Sequence, residues 1–202
     1  MRTIYLIRHG KTEANEKNLY YGKTDLPLSD AGITELEDLK RFCRYPSRDN
    51  CDFYTSSLKR TAQTLEILYP SADYSVEPLL DEMNFGVFEM RHYDELKNDA
   101  DFQTWITGDN MKNVCPGGES YEIHEKRSVE GFFEILKNAV QDVIIVCHGG
   151  TLMEVMSTLF PDEGDNRWYW SRQNGHGFAI NFDGEHAVSW QDVPEPVKIR
   201  DN

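Results

Sequence analysis

Positive charge is scarce in this chain of 202 residues, which has 21 lysines and arginines against 35 aspartates and glutamates, for a net charge of −14. Non-specific binding to nucleic acid or to an anionic membrane needs clustered positive charge, so we expect neither partner. Long apolar runs are also missing, since none approaches the roughly 20 residues of a membrane-spanning helix. An anionic ligand must therefore be bound by a local group of cations.

Cysteine is sparse as well, with residues at positions 43, 51, 115 and 147. None of them forms a C-x-x-C pair, and four in a chain of this length do not make a disulfide scaffold. No arginine stands six positions after any of them, which excludes the phosphate-binding loop of cysteine phosphatases. The amino terminus reaches Arg2 and Arg8 too early for the apolar core of a signal peptide. We therefore expect a cytoplasmic protein with reduced thiols.

The apolar content is sufficient for a packed core, because 39% of the residues are hydrophobic and 12% are aromatic. The length is typical of a single domain, and we expect residues 1–202 to form one. Within it, residues 79–118 are rich in glycine, asparagine and aspartate and have weak periodicity. We interpret that segment as a lid or cap beside an active site, with a plain surface excursion as the alternative.

Two kinds of apolar segment alternate along the chain. Nearly continuous runs of β-favouring residues predict buried strands, at 3–8, 52–55 and 143–147. Apolar residues at helical spacing predict helices, at 29–45 with Ser29 as the N-cap, 57–69, 119–140 and 150–160. A terminal hairpin of 177–182 and 187–190 is expected to turn at Asp183-Gly184. This alternation predicts an α/β fold, a three-layer α/β/α sandwich around a mostly parallel mixed sheet.

Two of the predicted strands end in the same way. The first ends Arg8-His9-Gly10, and the later one ends in His148 followed by two glycines. Ligands of open α/β sheets bind at the carboxyl ends of the strands, and a helix that starts there favours an anion. Two histidines, an arginine and a helix start therefore predict a phosphate site. A zinc site is disfavoured because the sequence has no H-E-x-x-H helix, and each histidine alone is compatible with a purely structural role.

The motifs around these strand ends resemble those of one known family. Arg8-His9-Gly10-Lys11-Thr12-Glu13-Ala14-Asn15 is similar to the R-H-G-x-T-x-x-N motif of the histidine phosphatase superfamily, which includes the cofactor-dependent phosphoglycerate mutases. Five further motifs follow in the family's order, at 22–32, 57–64, 80–89, 116–120 and 148–151. The resemblance implies a phosphoglycerate mutase-like fold with a small cap or insertion. Lys11 and Met90 depart from the pattern, since the family usually has Glu or Gln at the first position and Gly at the second.

The resemblance also implies a role for each candidate residue. His9 is expected to be the nucleophile that becomes phosphorylated, and Glu82 is expected to be the acid that protonates the leaving group. The equatorial oxygens of the phosphoryl group are expected to be surrounded by Arg8, Arg60 and His148. The expected substrate-binding residues are Arg8, Asn15, Tyr21, Gly22, Arg60, His148 and Gly149.

The family contains enzymes with different outcomes after the phosphohistidine has formed. We expect a metal-independent phosphomonoester hydrolase that needs no cofactor and acts on a small phosphorylated metabolite. Chain length and the segment F-E-M-R-H-Y-D-E-L-K are most similar to the α-ribazole phosphatase group, which makes α-ribazole phosphate or a sugar phosphate the expected substrate. A phosphoglycerate mutase and a non-catalytic phosphate-binding protein are the alternatives. A homodimer is compatible with the sequence.

Overall fold

The computed structural model describes residues 1–109 and 111–196. The strands in this part of the chain are β1 (Arg2–Arg8), β2 (Leu19–Tyr20), β3 (Cys43–Arg44), β4 (Cys51–Thr55), β5 (Ser75–Val76), β6 (Arg91–His92), β7 (Asp142–Cys147), β8 (Gly177–Asp183), β9 (His186–Val193) and β10 (Glu195–Pro196). The helices are α1 (Glu13–Glu16), α2 (Asp30–Phe42), α3 (Lys59–Leu68), α4 (Tyr93–Leu96), α5 (Ala100–Thr107), α6 (Tyr121–Asn138) and α7 (Gly149–Leu159). Short 3₁₀ helices lie at Pro78–Leu80, Gly86–Phe88 and Arg167–Trp170.

A six-stranded sheet in the order β5-β4-β7-β1-β8-β9 forms the centre of the fold. The strands β1, β7, β4 and β5 pair in parallel, while β8 and β9 add an antiparallel hairpin. The register places Arg8 opposite Cys147, so β1 and β7 end side by side. The predicted α/β architecture with a mostly parallel mixed sheet is therefore confirmed.

Both faces of the sheet are covered by helices, because side chains alternate between the faces along each strand. Ile4 and Leu6 of β1 pack with apolar residues of α6 and α7, among them Phe132 and Leu152. On the opposite face, Ile7 of β1 packs with residues of α2 and α3. Three layers result, as predicted, and both ends of the central strands are held between packed helices.

The main elements lie where the sequence pattern predicted them, with boundary shifts of a few residues. Ser29 caps α2 by accepting a hydrogen bond from the Gly32 N–H at 3.1 Å. Helical spacing over 119–140 predicts a buried stripe of Val129, Phe132, Phe133, Leu136 and Val140, and this was partly wrong. Phe133 is 38% exposed, and Val140, beyond the end of α6, is 93% exposed. The buried face of α6 instead includes His124 and Ser128. Of these two residues, His124 lines the cavity described below.

Residues 79–118 carry more structure than their weak periodicity indicated. They contain two of the 3₁₀ helices, β6, α4 and α5, and α5 begins at Asp99, which accepts hydrogen bonds from the Asp101 and Phe102 N–H groups. Their apolar side chains form a separate cluster of Met83, Phe88, Leu96, Phe102, Trp105 and Cys115. No helix in the described ranges is long and apolar enough to cross a membrane.

Candidate active site

A cavity of about 250 Å³ lies at the carboxyl end of β1 and the start of α7. Seven of the predicted site residues line it: Arg8, His9, Asn15, Tyr21, Arg60, Glu82 and Gly149. Gly22 and His148 were predicted there too, but they lie behind the lining residues and contact Arg60. The other lining residues are His124, Gly150, Ser171 and a larger apolar and aromatic set of Leu19, Tyr20, Met83, Phe85, Tyr121, Met153 and Trp168.

His9 is fixed at the end of β1 by its backbone and by its ring. Its N–H donates to the Cys147 carbonyl at 3.0 Å, and its carbonyl accepts from Asn174 Nδ2 at 2.9 Å. The ring Nδ1 lies 2.6 Å from the Gly10 carbonyl oxygen, which can only accept, so Nδ1 carries the proton. Burial, with the Arg60 and Arg8 guanidinium groups, holds the pKa of His9 well below its ordinary value. The ring is therefore neutral, and Nε2 is an unprotonated nitrogen.

His148 is fully buried beside His9, with their ring centroids 5.1 Å apart. Its Nδ1 accepts a hydrogen bond from Arg60 Nε at 3.2 Å, so Nε2 carries the proton and donates to Ser56 Oγ at 2.7 Å. Ser56 Oγ in turn lies 3.1 Å from Thr61 Oγ1. Burial first, and then Arg60 and His9, lower the pKa of His148 well below its ordinary value. Both ring nitrogens are thus engaged by protein groups, and the ring holds the Arg60 side chain.

Arg60 is completely buried in the first turn of α3 and is bound on several sides. Nη1 donates to the Thr24 carbonyl at 3.0 Å and Nη2 donates to the Gly22 carbonyl at 2.7 Å. The guanidinium also stacks over the Tyr21 ring at 4.9 Å. These contacts fix the plane of the guanidinium before any ligand binds, and such fixed donors are the basis of electrostatic preorganisation.

Arg8 reaches the same space from the end of β1. Nη1 donates to the Arg172 carbonyl at 2.7 Å, while the buried Nε has no hydrogen-bond partner among the described residues. A Cβ at position 149 would lie 3.1 Å from Arg8 Cζ, so Gly149 allows the guanidinium to pack closely against the start of α7. A buried guanidinium N–H with an empty acceptor position is suited to an anionic oxygen.

Glu82 lines the same cavity as these cations, with 13% of its side chain exposed. Oε2 accepts from the Gly150 N–H at 3.0 Å, and Oε1 accepts from its neighbour Met83 N–H at 3.0 Å. The sequence had suggested that the N–H groups at the start of α7 point at a ligand, but the Gly150 N–H is bound to Glu82. The helix terminus therefore orients a carboxyl group of the site.

Comparison with known proteins decides the family. The model of the histidine phosphatase superfamily (branch 1) matches residues 4–192 of the chain. The chain belongs to the histidine phosphatase superfamily.

Individual relatives support an enzyme of this superfamily that hydrolyses phosphomonoesters of small metabolites. The adenosylcobalamin/alpha-ribazole phosphatase of Salmonella typhimurium is 31% identical over 185 residues, which are 88% of this chain and 89% of that protein. The crystal structure of the alpha-ribazole phosphatase from Shigella flexneri superposes with a TM-score of 0.80 at 28% identity, covering 92% of this chain and 93% of that one. The 6-phosphofructo-2-kinase/fructose-2,6-bisphosphatase 4 of Rattus norvegicus is 32% identical over 80% of this chain and 33% of that protein.

In this histidine phosphatase, Glu89 has a supporting position that the sequence pattern did not reveal. Its carboxylate accepts hydrogen bonds from the N–H groups of Gly22, Lys23 and Thr24 at 3.0–3.1 Å and from Phe85 N–H at 3.0 Å. The Thr24 hydroxyl donates to it at 2.5 Å. Since the carbonyls of Gly22 and Thr24 bind Arg60, Glu89 fixes the loop that fixes Arg60.

Arg127 and Glu119 position Glu82, and the sequence pattern had assigned no role to either of them. Arg127 binds Glu119 through two N–H···O contacts of 2.7 and 2.8 Å, and its other donors bind the carbonyls of Leu79, Asp81 and Glu82 at 2.9, 2.5 and 3.0 Å. Although burial raises the pKa of Glu119, Arg127 outweighs it and the pKa is lowered, so Glu119 is a carboxylate. One ion pair thus holds the whole segment that carries Glu82.

His124 is the remaining buried residue that sequence reasoning did not assign. It is fully buried on α6 and lines the cavity behind Glu82. The available signal was its spacing, because a histidine four residues after Ser120 and four before Ser128 lies on the buried face of that helix. In the described part of the chain, no group of three or more histidine, cysteine, aspartate or glutamate side chains is arranged to hold a metal ion.

Proposed function

We propose that this histidine phosphatase cleaves its phosphomonoester in two displacements, with His9 as the nucleophile and Glu82 as the general acid. The tautomer of His9 carries the proposal, because Nδ1 donates to Gly10 and Nε2 is left as a neutral nucleophile in the cavity. In the first step, a bond forms between Nε2 and phosphorus, the ester P–O bond breaks, and Glu82 gives its proton to the leaving oxygen. In the second step, water attacks phosphorus, Glu82 takes a proton from that water, and inorganic phosphate leaves His9.

The charge of the transferring group is matched by the two guanidinium groups next to His9. Negative charge in phosphoryl transfer is spread over the equatorial oxygens, and fixed donors stabilise it there. Arg60 is held in place by His148, Gly22 and Thr24, and Arg8 has a buried Nε without a partner in the described chain. His148 supports this binding through Arg60, since both its ring nitrogens are engaged.

The leaving group is proposed to be compact and partly apolar or aromatic. Opposite the cations, the cavity wall contains Tyr20, Phe85, Tyr121 and Trp168. Aromatic side chains bind planar apolar groups by stacking and edge-to-face contact. An α-ribazole phosphate, with its fused aromatic base, is therefore our first substrate to test, and the names of the Salmonella and Shigella relatives support that choice. A sugar phosphate, with its polar hydroxyl groups, is the second.

The same wall disfavours a phosphoglycerate mutase. A mutase must retain a product with a second anionic group, which calls for further cations. Among the described residues that line the cavity, the only lysines and arginines are Arg8 and Arg60, and both lie beside His9. A non-catalytic phosphate-binding protein is disfavoured because the nucleophile and the acid both line the cavity with the two arginines.

Phosphate release from a panel of esters tests the proposal. The panel contains α-ribazole phosphate, sugar phosphates, nucleotides, 3-phosphoglycerate and p-nitrophenyl phosphate, and the His9→Ala variant is the control. We expect release by the wild type only, and acid-labile ³²P on the wild-type protein but not on the variant. Isomerisation of 3-phosphoglycerate without release would establish the mutase instead. Absence of both activities and of the label would leave phosphate binding as the function.

We also propose a cytoplasmic location, which the four unpaired cysteines support, since reducing compartments keep thiols free. Fractionation of cells that produce the tagged protein would test this. A homodimer also stays a prediction, and the mass of the protein in sedimentation measurements would test it.

A further inference from the structure

Behind Glu82, away from the phosphate-binding cations, lies a line of buried ionisable groups that the proposed reaction does not use. His124 Nε2 is 3.5 Å from Glu82 Oε1, and His124 Nδ1 is 3.7 Å from Glu154 Oε1. Glu154 is only 2% exposed and forms an ion pair with Arg167. The line therefore runs from the cavity through α6 and α7 to the 3₁₀ helix that carries Arg167.

The neighbours of His124 favour a proton on one of its two ring nitrogens. His124 Nδ1 forms no hydrogen bond with the described residues, and Glu154 Oε1, paired with Arg167, lies 3.7 Å from it. A carboxylate can only accept, so this neighbour favours a proton on Nδ1. Nε2 is then an acceptor. The other group near Nε2 is the Thr151 hydroxyl at 3.5 Å, whose own proton is donated to the Leu80 carbonyl at 3.1 Å. A proton on Glu82 Oε1 is consequently the donor that fits Nε2.

Glu82 needs such an acceptor if it is to act as an acid. The Gly150 and Met83 N–H groups donate to its two oxygens and offer no acceptor for an O–H group. The protonated form gains from a neighbour that accepts its O–H. Burial lowers the pKa of His124 to about 4, so the ring stays neutral near pH 7 and keeps its acceptor nitrogen. Hydrogen bonds of this kind are often long in a free enzyme and shorten when the substrate binds.

On this basis we propose that His124 is a positioning residue that keeps Glu82 protonated and aimed at the leaving group, with its own tautomer set by the Glu154–Arg167 pair. The inference rests on the proposed function, in which Glu82 is the acid. Gly150 makes the arrangement sterically feasible, because a Cβ there would collide with Glu82 and would lie 2.9 Å from His124 Cε1.

Other charged or titratable groups also face Glu82 and His124, and none of them is changed in the variants below. Arg127 and Glu119 pair with each other beside His124, and Arg60 lies across the cavity from Glu82. Tyr21, Tyr121 and Cys147 complete the surroundings, and burial raises the pKa of each, so all three are neutral near pH 7.

The test compares an alkyl phosphate, whose leaving group needs a proton, with p-nitrophenyl phosphate, whose leaving group does not. In the His124→Phe variant, we expect kcat/KM for the alkyl ester at neutral pH to fall roughly tenfold, and its descending pH limb to move about one unit lower. Activity on the nitrophenyl ester should stay close to that of the wild type. Glu154→Gln removes the charge that favours this tautomer of His124. It should also move the descending pH limb of the alkyl ester to lower pH, by less than His124→Phe does. His124→Gln, which restores an acceptor, should recover part of the alkyl activity.

Ser128→Ala is the matched control, because Ser128 is buried one turn further along the same face of α6. It should leave both esters and both pH profiles unchanged. An unshifted alkyl profile in folded His124→Phe, or an equal loss on both esters, would overturn the inference. If the Phe variant does not fold, an unshifted profile in Glu154→Gln would overturn it. Failure of the proposed function would look different, since the wild type itself would then form no phosphohistidine.

Discussion

Arg60 and His148 are joined by a hydrogen bond in which the guanidinium Nε donates to the ring Nδ1 across 3.2 Å. The ring Nε2–H donates a hydrogen bond to Ser56 Oγ, so both nitrogens of His148 are engaged by protein groups. We therefore expect the second histidine of the site to act on a bound phosphate through the arginine that it holds.

Replacement of His148 should accordingly resemble damage to Arg60. In His148→Ala, the Nε donor loses its acceptor and the guanidinium loses one of the contacts that fix its plane, so we expect kcat/KM to fall by about 10²–10³-fold. Steady-state kinetics with p-nitrophenyl phosphate measures this. Ser56→Ala is the control, because it removes the partner of the other ring nitrogen and leaves the Arg60 contact intact; a loss as large as that of His148→Ala would contradict this role.

Removal of the proposed acid should depend on the leaving group. Glu82→Gln keeps the shape of the side chain but has no acidic proton, so formation of the phosphoenzyme from an alkyl phosphate should slow by about 10²–10⁴-fold. The nitrophenyl ester should be affected least, since its leaving group is already a weak base. Rapid-quench measurement of labelled enzyme gives both rates. Equal slowing of the two esters would show that Glu82 is not the acid.

Stability should fall as the solution becomes mildly acidic. His9, His124 and His148 all have pKa values lowered mainly by burial, so the unfolded chain binds protons below about pH 6.5 that the folded chain does not bind. Between about pH 6.5 and 5.5, each should remove about 1 kcal/mol from the free energy of unfolding, or about 3 kcal/mol together. Urea unfolding at the two pH values measures the change. In His124→Phe, the free energy of unfolding should fall by about 1 kcal/mol less than in the wild type, because one of the three histidines is gone. An equal fall in both proteins would show that the pKa of His124 is not lowered in the folded state.

Met90 has a left-handed backbone conformation, with φ of +60°. The histidine phosphatase superfamily usually has glycine at this position. Such a conformation costs a residue with a side chain roughly 1–2 kcal/mol, while glycine loses about 0.5–1 kcal/mol through its more flexible unfolded state. Met90→Gly should therefore raise the free energy of unfolding by about 0.5–1 kcal/mol. Met90→Ala, which keeps the strain, should bring no gain, and urea unfolding of both variants decides the matter.

Activity should survive treatment with EDTA. The proposed reaction stabilises the phosphoryl charge with Arg8 and Arg60, and activates no water on a metal ion. Phosphate release before and after dialysis against the chelator measures this. Loss of activity that returns on addition of a divalent cation would require a revised mechanism.

The sequence predicted the residues of the site better than their contacts. Strand ends are readable, because continuous apolar runs stop at Arg8 and Cys147, and parallel strands bring such ends together. The position of His148 behind Arg60 was not readable, since it depends on a hydrogen bond that the Arg60 side chain donates to the ring. Side-chain hydrogen bonds between distant segments leave no periodic signal.

The support of the loops was hidden for a related reason. Glu89 lies 67 residues from Gly22 in the chain, and the carboxylate binds backbone N–H groups, which any residue type other than proline supplies. The helix α5 was missed because its eight residues hold only a short apolar pattern, and because its packing partners Phe88 and Tyr20 come from other elements. Tertiary packing, rather than local propensity, fixes that segment.

The apolar cluster of Met83, Phe88, Leu96, Phe102, Trp105 and Cys115 is separate from the two clusters that pack on the sheet. Phe85 and Tyr121 pack against it and also form part of the cavity wall. Substitutions in this layer can reshape the space for the leaving group, while the sheet and its helices keep their own packing. Selection for new substrates and selection for thermal stability can thus act on different residues. Such a separation favours the evolution of new substrate specificities while the catalytic residues stay unchanged.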